Sequence, residues 1–143
     1  MKMIGCGGRM YCLQGQPLIW VTEAIRILGV TEIVDGGAPG ADVAFHTLAM
    51  QHGIDSVRFF ANWIKFSRGA GPIRNGKQLR YLLWSASHLN ESCAVFALPG
   101  GRGTADMIAQ AVGAGIRVIA PTEQMLQGNI PISTTEIYNA HLY

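Results

Sequence analysis

The sequence predicts an α/β protein: a Rossmann-like, doubly wound, mainly parallel sheet of about five strands with helices on both faces. Three observations predict it. Short apolar runs alternate with longer runs of helical apolar spacing as far as Ala120. Of eighteen glycines, most gather into clusters at the boundaries between those runs. A length of 143 residues, 49% hydrophobic and 14% charged, suffices for a single domain over residues 1–143 but not for two.

Lys2–Cys6 is a short apolar strand, and Leu18, Val21, Ile25 and Leu28 recur at helical spacing over Pro17–Leu28, closed by Gly29. Glu32–Asp35 is a second strand running into glycines. Ala41–His52 follows as a helix with Ala41, Ala44, Phe45, Leu48 and Ala49 on one face, stopped by Gly53. Ser56–Phe60 is a third strand. The irregular stretch Ala61–Gly71 then leads to a helix over Pro72–Ser87 whose apolar face is Leu79, Leu82, Leu83 and Ala86. Ser92–Leu98 is the fourth and most hydrophobic strand. Thr104–Ala114 reads as a helix with Thr104 as N-cap and Ile108, Ala111 and Val112 facing inward, before the strand Arg117–Ala120. From Pro121 to Tyr143 periodicity is weak, and the chain reads as an irregular tail.

A charged share of 14% lies below the usual ~25%, yet no stretch approaches the ~18 consecutive apolar residues of a membrane span. A disordered tail, a coiled coil and a long basic arm all need more charge and are excluded. So little charge predicts a surface covered by another copy, a homo-oligomer and most simply a dimer. Eleven Lys and Arg against nine Asp and Glu leave +2, which disfavours nucleic acid and membrane as partners. Cys6, Cys12 and Cys93 form no Cys-x-x-Cys pair and read as small buried apolar residues. The start MKMIGCGG has no hydrophobic signal core, so a cytoplasmic location is expected. His46, His52, His88 and His141 show no ligand spacing with Cys or carboxylates, and neither metal nor cofactor is expected. Gly71–Gln78 nearly spells a Walker A loop, but Gln78 stands where a Ser or Thr would hold magnesium, and no strand runs into it.

In a doubly wound sheet, ligands bind beyond the carboxyl ends of the strands where strand order reverses. Three glycine clusters fall on that edge: Gly7-Gly8-Arg9 after the first strand, Gly36–Asp42 after the second and Pro99–Thr104 after the fourth. Bare backbone approaches a phosphate closely, and the free N–H groups of a following helix add partial positive charge. Gly36, Gly37 and Gly40 precede one helix; Pro99, Gly100, Gly101, Gly103 and Thr104 open another. A cation in a helix's first turn opposes the macrodipole by about 0.3–1 kcal/mol, so an arginine there wants an anion. Arg74, with Asn75 beside it, is expected in the first turn of the third helix, Arg102 just ahead of the fourth and Arg9 in the first loop. Guanidinium reads phosphate bidentately. Lys65 and Arg68 read as solvated surface charges. Asp42 and Asp106 suit either first-turn helix stabilisation or ribose hydroxyls and a base edge, because a carboxylate does not belong against phosphate. Trp63 offers a base-stacking ring or an anchor for its loop.

The succession Gly7-Gly8-Arg9, Asp35–Asp42, Ala61-Asn62-Trp63, Ala70–Asn75 and Pro99–Met107 resembles the YspA-type branch of the SLOG superfamily, in order from about Gly7 to Pro121. That superfamily includes the Lonely Guy phosphoribohydrolases, the DNA-processing protein DprA and sensor domains for nucleotide-derived ligands. The resemblance implies a Rossmann-like fold, self-association and a nucleotide or nucleotide-sugar ligand. Lonely Guy enzymes carry PGGxGTxxE, whose Glu assists release of the base from a nucleoside monophosphate. Counting from Pro99, Met107 stands in that place, one residue after Asp106. A methionine cannot stabilise positive charge developing on a ribose. The YspA-type pattern also has an acidic residue after its GGR arginine, where this chain has Met10. The family's arginine maps onto Arg74, which would hold a 5′-phosphate. The leading expectation is therefore a binding domain, sensor or sequestering, for a nucleotide-like small molecule. The alternative is a phosphoribohydrolase with Arg74 and Asp106 as catalytic pair. A third reading, DprA-like single-stranded DNA binding, requires a basic groove with stacking aromatics.

Overall fold

The computed structural model describes residues 1–140. Five parallel strands, β1 (Lys2–Cys6), β2 (Glu32–Asp35), β3 (Asp55–Arg58), β4 (Cys93–Ala97) and β5 (Arg117–Ile119), form one sheet in the order β3-β2-β1-β4-β5. The chain steps outward from β1 to β3 and then crosses back to β4. Strand order thus reverses between β1 and β4, and the loops leaving these neighbours diverge.

Successive side chains of a strand point to opposite faces. Met3 of β1 and Ala94 and Phe96 of β4 face one layer; Ile4, Cys6, Val95 and Ala97 face the other. Both faces are covered, which is why these strands are apolar without alternation. Helices α1 (Gly15–Leu28) and α2 (Ala41–Gln51) cover the first face with Trp20, Val21, Phe45 and Leu48. Phe96 packs edge-on against both Trp20 (6.1 Å) and Phe45 (5.7 Å). Full burial of Phe45 or Phe96 gains about 1.5–3 kcal/mol. The second face is covered by the long helix Ala70–His88 and the helix Arg102–Gly113 through Leu79, Leu82, Met107 and Ala111. The Tyr81 hydroxyl donates to Glu32 Oε2 (3.0 Å), fixing the long helix over β2.

Several boundaries differ from the sequence reading. The first helix starts at Gly15 rather than Pro17. β3 ends at Arg58, not Phe60, because its partner β2 has run out at Asp35, which pairs with Arg58. The stretch read as irregular holds α3 (Trp63–Phe66), where Asn62 Oδ1 accepts from Lys65 N (3.0 Å), and a 3-10 turn (Ser67–Gly69). The long helix, α4, then begins at Ala70. The next, α5, begins at Arg102 with Gly101 as N-cap, so Thr104 is its third residue and not the cap. Leu83 and Val112, read as inward-facing, are 43% and 47% exposed, and Cys12 is exposed as well. The tail is not irregular throughout. Thr122 and Ser133 cap α6 (Glu123–Leu126) and α7 (Thr134–Asn139), which bury Met125, Leu126 and Ile137 in the layer of α1. His141 lies outside the described residues, and no helix among them is long and apolar enough to cross a membrane.

Candidate functional site

The three glycine loops meet where strand order reverses, and Gly8 joins them. Its N–H donates to Pro99 O (2.8 Å), and its carbonyl accepts from Ala41 N at the start of α2 (3.1 Å). A Cβ on Gly8 would stand 3.0 Å from Pro99 O and 3.3 Å from Gly100 Cα, so the two loops approach this closely only without a side chain. Between them opens a cleft of about 240 Å³. Its floor is the end of β1; its walls are the Gly36–Ala38 loop with Asp42, the start of α5 from Gly101 to Thr104 with Met107, and the α4 residues Arg74, Asn75 and Gln78.

A chain of hydrogen bonds sets Arg74. Nη1 donates to Gly36 O (2.7 Å) and Nε to Asn75 Oδ1 (3.2 Å). Asn75 Nδ2 in turn donates to Asp106 Oδ2 (2.9 Å) and Gly103 O (3.2 Å). Asp106 Oδ2 also accepts from Gln110 Nε2 (2.8 Å), which is within 3.0 Å of Pro72 O. Asp106 thereby clasps α5 to α4 and orients Arg74 through Asn75; it is not among the residues lining the cleft.

Opposite Arg74, the first turn of α5 has no side-chain cap and no acidic residue, so its N–H groups are open to an acceptor. Arg102 occupies that turn against the macrodipole. Arg74 lies in the second turn of α4, not the first as the sequence suggests, because the helix starts earlier. Among the described residues Arg9, Arg74 and Arg102 form no ion pair. Among the described residues the only carboxylate lining the cleft, Asp42, is spent on the loop: its Oδ2 accepts from Gly36 N (3.1 Å) and Ala38 N (3.2 Å).

Burial raises Asp42 above the usual carboxylate range, against the pull of the Ala38 N–H and of Arg74. Burial, then the Asp42 charge, pushes the Cys6 thiol up to about 12, so Cys6 is a neutral floor and not a nucleophile. Asp42→Asn keeps an oxygen for the two N–H groups and removes the one negative charge facing the cleft. Affinity for a phosphorylated nucleoside, followed by calorimetry, is expected to rise roughly three- to tenfold. Weaker binding would show that the carboxylate itself holds the ligand.

Comparison with known proteins is sparse. No protein-family model and no curated protein matches the chain. Among solved structures it is similar to DNA processing protein A (DprA) from Streptococcus pneumoniae, with 17% identity and a TM-score of 0.42. The match covers 92% of this chain and 62% of that one, so the chain spans less than two thirds of DprA.

Of the residues expected at the site, Gly7, Gly8, Arg9, Gly36, Asp42, Arg74, Asn75, Gly101, Arg102, Gly103 and Thr104 line the cleft together. Gly37 and Gly40 do not, but their φ angles of 67° and 77° shape its wall. Pro99 and Gly100 face a second hollow behind the loop, beside Ala120 and Pro121. Trp63 stands outside at the rim, with the Arg9 guanidinium 5.2 Å from its ring centre. Sequence reasoning missed Gly5, Cys6, Ala38 and Gln78, while Met107 entered only through the family motif. Gln78 follows Arg74 by one helical turn, and that i, i+4 spacing was the available signal.

Proposed function

We propose that the chain is a SLOG-type binding domain for a phosphorylated nucleoside derivative, acting as a sensor or a sequestering domain. The observation that carries this reading is the convergence of the unpaired Arg9, Arg74 and Arg102 and the uncapped start of α5 on one cleft at the strand-order reversal. The phosphate accepts from the N–H groups of Arg102, Gly103 and Thr104 and from Arg74; the ribose lies toward Asp42. Binding is favoured over N-glycosidic cleavage because Met107 lines the cleft where a phosphoribohydrolase needs a carboxylate, while Asp106 is held by Asn75 and Gln110. A thermal-shift panel of AMP, ADP-ribose and NAD, with chromatography of each mixture, tests it. A rise in melting temperature without turnover is expected. Release of free base would instead make the protein a hydrolase, and no shift at millimolar nucleotide would end both readings.

Self-association belongs to the same proposal. Ala105, Ile108, Ala109, Val112 and Gly113 line an apolar groove along the outer side of α5, and a second copy of α5 is its proposed occupant. Sedimentation at micromolar concentration is expected to give a dimer, and a monomer would contradict it.

A further inference from the structure

The long helix α4 buries three polar side chains, Asn75, Gln78 and Ser85. Two of them have partners: Asn75 Nδ2 donates to Asp106 Oδ2 and Gly103 O, and Ser85 Oγ donates to Glu32 Oε1 (3.4 Å). Gln78 has none. Its amide forms no hydrogen bond among the described residues, although the residue is only 2% exposed. Native chains rarely bury an amide without a partner, because its donor and acceptor have left water for nothing in return. Nor is this amide sealed in. Among the described residues the enclosed polar atoms without a partner are Asp35 Oδ2 and Arg58 Nη2, so the Gln78 amide is open, and the space it opens on is the cleft it lines.

The amide lies below the arginines. α4 starts at the carboxyl edge of the sheet and runs toward the amino edge, because it carries the chain back to the start of β4. Gln78, four residues beyond Arg74, is therefore about 6 Å deeper than the proposed phosphate position. On α5, Met107 lies three residues beyond Thr104, and Cys6 packs in the same layer as Met107. This floor carries no charge, since the Cys6 thiol stays neutral. A second phosphate or a carboxylate would be stripped of water there with one amide to meet it. The sulfur atoms of Cys6 and Met107 suit the face of a flat ring, and the amide suits its edge. A nucleobase brings both, whereas a ribose brings hydroxyls and no flat face.

Resting on the reading of the cleft as a nucleotide phosphate site, we infer that Gln78 is the residue that selects the base, and that it selects adenine by the N6/N7 edge. On that edge adenine sets a donor, the N6 amine, beside an acceptor, N7, and a glutamine amide answers them with Oε1 and Nε2. Guanine and hypoxanthine set two acceptors there, one of which must face Oε1. Cytosine offers a matched pair but a single ring for the floor. Titration calorimetry of AMP, inosine 5′-monophosphate (IMP), CMP and 7-deaza-AMP, which has carbon in place of N7, tests this on the parent protein alone. AMP is expected to bind at least tenfold tighter than each of the other three. Gln78→Met keeps a similar volume and helix propensity, and is expected to lose at least tenfold for AMP while IMP changes less than threefold. Its melting temperature should equal or exceed the parent's, because no hydrogen bond within the protein is lost. A variant that keeps the preference for AMP, whether or not its melting temperature falls, would overturn the inference. So would a preference under tenfold over IMP, CMP or 7-deaza-AMP in the parent, and either result leaves the phosphate site standing. If none of the four binds, the phosphate site falls as well.

Discussion

Arg74→Ala should weaken binding of a nucleoside 5′-monophosphate by roughly 10- to 100-fold, the value of a charge-assisted hydrogen bond of about 1.5–3 kcal/mol. The guanidinium reaches the cleft with Nε and Nη1 engaged by Asn75 Oδ1 and Gly36 O, so its remaining N–H groups are held in one orientation before any ligand arrives. Binding therefore spends little side-chain entropy there. Arg74→Lys keeps the charge but loses the planar fork and the bond pattern that holds it, and should recover only part of the affinity. The fold should survive, because the α4 core face of Leu79 and Leu82 is untouched. Titration calorimetry on the parent and both variants decides the point. Equal affinities would remove Arg74 from the site.

The second large effect falls on stability. Gly40, at φ 77°, ends the loop before α2, and a Cβ there would collide with the backbone carbonyls of Gly8 and Arg9. Backbone strain alone costs a non-glycine residue about 1–3 kcal/mol, and here the obstructing atoms are main chain and cannot rotate aside. Gly40→Ala is expected to lower the melting temperature by roughly 5–12 °C at about 2–4 °C per kcal/mol. Gly103→Ala is the contrast: nothing lies within 4 Å of its Cβ position, and it is within α5. Alanine there should be neutral or slightly stabilising by helix propensity. If scanning calorimetry gave both variants the parent's melting temperature, the close approach of the first two loops would be wrong.

The parts legible in the sequence are those governed by local rules. Strands buried on both faces announce themselves as apolar runs, and Gly8, Gly36 and Gly40 mark loops because only glycine permits their contacts. α6 and α7 were not legible, since four and six residues are too few to repeat an apolar period, and their Met125 and Ile137 find the core only through α1. Nor was the position of Asp106, whose sequence neighbourhood suggests a ligand while its partner Asn75 comes from a helix some thirty residues earlier in the chain. Gln78 and Met107 line the cleft from helix interiors, where nothing but the crossing of α4 and α5 separates a cleft residue from a core one. Charge as a total hides its distribution, because it cancels between the acid-free run from Ser56 to Asn90 and the rest of the chain.

One comparison bears on all of this: calorimetric titration of AMP and of adenosine into the same preparation of protein. If the open turn of α5 and Arg74 form a phosphate site, AMP gives saturable heat and adenosine gives none at the same concentrations. Adenosine binding as tightly as AMP, or neither binding at all, would contradict a phosphate site at the meeting of the glycine loops.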